Sequence, residues 1–172
     1  MQNPFTLTFG KSPLEPVERP LQTMEIVDTF TAETVNQQMF IITGVRGSGK
    51  TVMMTEIARR LREREDWVVI ELNPATDLLQ GMLAKLNSNK VCAAIIKSAK
   101  IDLSFFGFGV AIEGVPPLTD TETAIITILE KLKKQDKRLL ITIDEVTNND
   151  YMKVFAGSFQ IFVRQDLPVF LL

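Results

Sequence analysis

The 172-residue sequence contains no histidine. That absence removes Ser-His-Asp and Cys-His hydrolases and leaves no imidazole to ligate zinc. Cysteine is almost missing as well. Cys92 stands alone, so no internal disulfide can form, and a reducing, cytoplasmic setting is expected. Cys92 itself reads as a small buried apolar residue rather than a reactive thiol. No apolar run approaches the roughly 18 residues of a membrane span. The N-terminal "MQNPFTLTFGK" lacks the charged-then-apolar pattern of a signal peptide, so no membrane is expected as a partner. Neither sign of charge is in excess: Lys plus Arg number 19 and Asp plus Glu 21, for a net charge of -2. A broad nucleic-acid surface would be strongly basic. A small patch or a neighbouring DNA-binding domain stays open. Repeats and low-complexity tracts are absent.

What remains has globular proportions, with 45% hydrophobic and 23% charged residues, in a length suited to one domain. Pro4, Pro13, Pro16 and Pro20 make residues 1–20 an extended arm, and residues 21–172 the domain proper. A helix is expected over 21–31, with Met24, Val27 and Phe30 on one side. The apolar run "MFIIT" (39–43) reads as a buried parallel strand. From Gly49 a helix should present Met53, Met54, Ile57, Ala58 and Leu61 inward. "WVVIEL" (67–72) and "LLITI" (139–143) read as further strands, with a helix over about 77–86 between them. Residues 87–118 are less regular, and "IDLSFFGFGVAIEG" suggests a β-hairpin or extended excursion. Its aromatics read chiefly as packing against the body of the domain. A helix follows, with Thr119 and Glu122 as a capping box and Ala124, Ile125, Ile128, Leu129 and Leu132 inward. Lys131, Lys133, Lys134, Lys137 and Arg138 read as its solvated, dipole-complementing end. A last helix over about 149–165 should bury Met152, Phe155, Phe159, Phe162 and Val163. "PVFLL" ends at Leu172 in mid-strand, which gives the expectation that the sequence is part of a longer chain. Strands alternating with helices imply an α/β layered domain with a mostly parallel sheet.

"GVRGSGKT" (44–51) carries the chemistry. Gly44, Gly49, Lys50 and Thr51 meet the G-x-x-x-x-G-K-[ST] spacing, between an expected strand and an expected helix. Glycines let the loop amides turn inward. The helix start adds unpaired donors and a positive dipole end. Lys50 reaches outer phosphates as a point charge, and Thr51 offers a hydroxyl to Mg²⁺. Gly44, Val45, Arg46, Gly47, Ser48, Gly49, Lys50, Thr51 and Val52 are therefore the candidate nucleotide-binding residues. The second element is "LLITIDEV" (139–146). Its strand delivers Asp144 to the sheet edge, where it can hold Mg²⁺ and its waters opposite Thr51. Glu145 can polarise an attacking water as general base. The catalytic candidates are thus Glu145 and Lys50, the metal candidates Thr51 and Asp144, and the cofactors ATP and Mg²⁺.

Together with "VERP" (17–20) and "VVIELNP", these motifs resemble the P-loop ATPases of the AAA+ type, from about residue 15 onward. The likeness is to bacterial and archaeal ATP-binding proteins near the initiator and signalling branches. The resemblance implies a three-layer sandwich with sheet order 5-1-4-3-2, in which strand 1 is 39–43, strand 3 is 139–143 and strand 4 is 168–172. It places Val17 by the adenine. It also implies a polar sensor after strand 4 and a helical lid, both falling beyond Leu172. No arginine finger is assigned; Arg164 is a candidate by position.

The expected function is an ATP-binding and ATP-hydrolysing module that drives a conformational change. Self-association or a partner protein is expected, with DNA reached through a further domain. A non-hydrolysing, nucleotide-gated interaction module and a small-molecule kinase remain open as alternatives. GTP is disfavoured because no Asn-Lys-x-Asp guanine reader is present.

Overall fold

Side chains decide where the helices begin. The computed structural model describes residues 20–109 and 111–172. Six α-helices are found among them: α1 (Pro20–Thr31), α2 (Lys50–Arg62), α3 (Leu78–Ser88), α4 (Lys90–Ser98), α5 (Thr121–Lys133) and α6 (Asp150–Arg164). Asp77 caps α3 by accepting from the Leu79 and Gln80 amides. Asn89 caps α4, Asp120 caps α5 and Asn149 caps α6 in the same manner. Each such oxygen satisfies N–H groups that the first helical turn leaves without partners.

Three strands, β1 (Trp67–Leu72), β2 (Arg138–Ile143) and β3 (Val169–Leu171), pair in parallel in the order β1-β2-β3. Leu72 lies opposite Ile143, and Ile141 opposite Leu171. Their pleat divides the core in two. Val68, Ile70, Leu139, Ile141 and Val169 face α3 to α6, meeting Met82, Leu86, Ile125, Leu129 and Phe159. Trp67, Leu140 and Phe170 face α1 and α2, meeting Phe30, Ile57 and Leu61. Phe30 packs edge-on to Phe170 at 5.1 Å. Continuous apolar strands follow from having helices on both sides.

Several expectations are corrected. The run 39–43 is not a buried strand. Met39 forms one parallel bridge to Leu171, through Phe40 N–H to the Leu171 carbonyl and Leu171 N–H to the Gln38 carbonyl. Residues 40–43 lie in no strand, and Ile41 is 75% exposed. The five-strand order is therefore not seen among the described residues. Among the described residues of 87–118 no hairpin is found. Asn89 starts α4, whose Cys92, Ile95 and Ile96 are buried, and a 3-10 turn follows at Ser104–Phe106. Gly107 and Gly109 turn left-handed, which breaks strand geometry. The aromatics pack in part: Phe106 and Phe108 lie against the core, while Phe105 is exposed. The α5 cap is Asp120, not Thr119, because the helix begins at Thr121. On α1 the buried stripe is Thr23, Ile26 and Phe30, with Met24 exposed. The expected arm, apart from Pro20 at the start of α1, lies outside the described residues.

The five basic residues around 131–138 lie at the amino edge of the sheet. Three of them hold the fold there. Lys133 donates to the Asp166 carboxylate and carbonyl at 2.6 Å each. Lys137 donates to the Glu65 carbonyl at 3.0 Å. Arg138 donates to the Phe30 carbonyl at 2.5 Å and the Ala32 carbonyl at 3.2 Å.

Candidate functional site

The glycine loop and the end of β2 meet at the carboxyl edge of the sheet, where open α/β sheets hold ligands. α2 is the exception to the capping pattern. Its N-cap is Gly49, at φ 83, with no side-chain cap. The amides of its first turn are therefore left for something other than the protein's own side chains. Gly49 is needed because an L side chain at that φ is strained. Gly44 is needed for room: a Cβ there would stand 2.6 Å from Ser48 Oγ.

Lys50, the first residue of α2, folds over the loop. Its ammonium donates to the Gly44 carbonyl at 2.9 Å and the Val45 carbonyl at 3.1 Å. An ammonium has three N–H donors, so one remains for an anion. Ser48 N–H closes a turn onto the Val45 carbonyl at 3.2 Å. Val45, Arg46 and Gly47 are exposed, and Val52 is half-buried on α2.

In the first turn of α2, the Thr51 hydroxyl donates to Asp144 Oδ2 at 2.7 Å. The other carboxylate oxygen, Oδ1, accepts the Glu145 N–H at 2.8 Å. Asp144 is thus held at both oxygens as β2 ends. Glu145 is exposed and left-handed, at φ 53. Its carboxylate has no hydrogen bond or ion pair among the described residues and opens to solvent.

The donor set suits a small hard cation. Thr51 Oγ1 and Asp144 Oδ2 are adjacent oxygens. Among the described residues no cluster of three or more acidic, cysteine or histidine side chains could hold a metal unaided. Mg²⁺ is usually held by one or two protein oxygens, with water and substrate phosphates completing its shell.

The structure thus brings Gly44, Lys50, Thr51, Asp144 and the Glu145 backbone together. It does not bring Arg164 to them. Arg164 closes the 15-residue α6 at the end away from Asn149, about 22 Å along the axis. Val17 lies outside the described residues. Asn149 was not singled out from the sequence. Its side chain spans from the α6 cap to the Pro74 carbonyl. An Asn just before a helix is a cap signal, but the long-range bond has no local signature.

No described helix is long and apolar enough to cross a membrane. A comparison with curated proteins finds no match. A family model described as an ATPase domain predominantly from Archaea matches residues 24–161, a span that holds most of α1 to most of α6 and every described candidate above except Arg164. The chain belongs to this family of ATPase domains found predominantly in Archaea.

Proposed function

We propose that this domain binds Mg·ATP at the 44–52 loop and hydrolyses it, as an AAA+-type module whose nucleotide state drives a conformational change. The observation that carries the reading is the 2.7 Å contact between Thr51 and Asp144, beneath a loop already gathered around the Lys50 ammonium. Two oxygens from distant parts of the chain meet where a phosphate-bridging cation is needed.

The loop amides and the uncapped start of α2 take the phosphate charge. Lys50 keeps its loop carbonyls and places its third N–H toward the outer phosphates. Mg²⁺, when bound, neutralises phosphate oxygens and orients them. Asp144 and Thr51 would hold that ion. Glu145 accepts a proton from the water that attacks the terminal phosphorus, as the bond from that phosphorus to the bridging oxygen breaks and ADP leaves. Its exposed carboxylate, at the mouth of the crevice, has no ion pair to release first. Self-association, a protein partner, a DNA contact through a further domain and cytoplasmic placement are carried forward as parts of the same reading.

Calorimetry with Mg·ATP tests it. Lys50→Ala is expected to lose binding, and Glu145→Gln to bind as the parent does without turning over. Unchanged affinity in the Lys50 variant would overturn the assignment.

A further inference from the structure

The crevice at the carboxyl ends of β1 and β2 is held on two sides. On one, Thr51 reaches Asp144. On the other, Asn149 reaches back to the turn between β1 and α3, donating to the Pro74 carbonyl at 2.8 Å. The same NH₂ group donates to Thr147 Oγ1 at 3.1 Å. Asn149 Oδ1 accepts the Met152 N–H at 2.8 Å. A carboxamide has two donors and one carbonyl acceptor, and all are committed.

Capping α6 requires only the oxygen. The two donated bonds exceed that need: one falls on Thr147, in the segment that carries Glu145, and the other on the β1–α3 turn. That turn is itself braced. Asn73 Oδ1 accepts the Ala75 N–H at 2.9 Å, and the Asn73 carbonyl accepts from the Thr76 amide and hydroxyl. The Pro74 carbonyl is thus a fixed acceptor. Residues 145–148 are exposed and bridge two anchors, Asp144 and Asn149. Within that bridge Glu145 holds φ 53. A non-glycine residue stays in that region only where its surroundings impose it.

We infer that Asn149 is a positioning residue for Glu145, tying the 145–148 loop to the β1–α3 turn so that the carboxylate is aimed before nucleotide arrives. The inference rests on the proposed ATP hydrolysis. Asn149 touches neither substrate nor metal. It acts through the loop.

Asn149→Ser is the informative variant. Its hydroxyl keeps an acceptor for the α6 cap, but it is too short to donate to Pro74. Asn149→Ala loses cap and tie together, and its difference from Asn149→Ser reports what capping contributes. Three quantities are read: amide exchange over 145–148 without nucleotide, Mg·ATP affinity, and single-turnover hydrolysis. For Asn149→Ser, exchange accelerates, affinity and thermal midpoint stay at the parent values, and the turnover rate falls on the order of ten- to a hundredfold, the scale of a misplaced reacting group. Parent-like turnover would overturn the inference. So would a loss of rate matched by equal losses of affinity and stability, since that is a merely structural defect. A parent chain that binds no ATP refutes the proposed function separately. Exchange then still decides the tie, and unchanged protection in Asn149→Ser sinks it.

Discussion

Glu145 pits the demands of folding against those of chemistry. Its φ of 53 is left-handed, a conformation costing an L residue roughly 1–2 kcal/mol. The Glu145 N–H bond to Asp144 Oδ1 belongs to the backbone, so any replacement keeps it. The carboxylate has no partner among the described residues, and truncation therefore removes no bond. Glycine relieves the strain but frees the unfolded chain, which returns about 0.5–1 kcal/mol. The balance is a gain of roughly 0.5–1 kcal/mol for Glu145→Gly. For a chain of this length that raises the thermal midpoint by about 1–4 °C. Lys100 is the control. It lies two residues past the end of α4 at φ 52, is exposed, and its ammonium also has no partner among the described residues. Lys100→Gly should gain the same few degrees and hydrolyse ATP as the parent does. Glu145→Gly should gain them and stop hydrolysing. Scanning calorimetry paired with a phosphate-release assay reads both. Stabilisation by Lys100→Gly alone, with Glu145→Gly at or below the parent, would refute the claim that strain is stored at Glu145.

Further outcomes follow from the core and surface. Burial pushes the Cys92 thiol up to about 12, so it should resist an aromatic disulfide reagent at neutral pH in the folded chain and react at once in denaturant. Asp102, 2% exposed, accepts the Ser104 N–H at 2.9 Å and the Ile112 N–H at 2.8 Å. Asp102→Ala strands both donors and should lower the midpoint of chemical denaturation. The Ser104 hydroxyl, then the Ile112 and Ser104 amides, hold the Asp102 carboxyl below 3.8. Its charged-state contribution is present above that pH and lost as the pH falls beneath it. Arg59 and then Arg60 draw Glu56 down from 4.5 to about 2. That stabilisation is complete above about 4.5 and fades toward 2. Glu56→Gln should flatten this acid limb, by only about 0.3–0.5 kcal/mol per pair because the site is open to solvent.

The strands β1 and β2 were legible because a strand covered on both faces is apolar at nearly every position, and "WVVIEL" and "LLITI" say so directly. The phosphate loop was legible because its glycines and its lysine are fixed by local geometry. Other features needed the third dimension. "MFIIT" is as apolar as "LLITI", yet only its start finds a neighbour, and pairing is not encoded in the run itself. "TDTET" offers Thr119, Asp120 and Thr121 as successive cap candidates. The docking of Ala124, Ile125 and Ile128 selects Asp120. α4 was hidden by the glycine-rich aromatic stretch after it, although Asn89 followed by Cys92, Ile95 and Ile96 at helical spacing carried the signal. Asn149 and Pro74 are 75 residues apart, and no pattern in either segment names the other.

The two edges of the sheet divide the chain's charge between them. At the amino edge, Lys133, Lys137 and Arg138 are committed to carbonyls and a carboxylate of the fold itself. They are absent from the carboxyl edge, where a polyanion would lie. There the chain offers Lys50, the exposed Arg46 and the uncapped amides of α2. A net charge of -2 is therefore compatible with gripping a triphosphate. Fixed backbone dipoles act within the first turn of a helix, so among the described residues attraction is concentrated at the loop. The same economy separates roles within the site. Lys50 and α2 can gather phosphate without Glu145. On the proposed reading, binding and breaking are carried by different segments, joined through Asp144, whose two oxygens touch Thr51 and the Glu145 backbone.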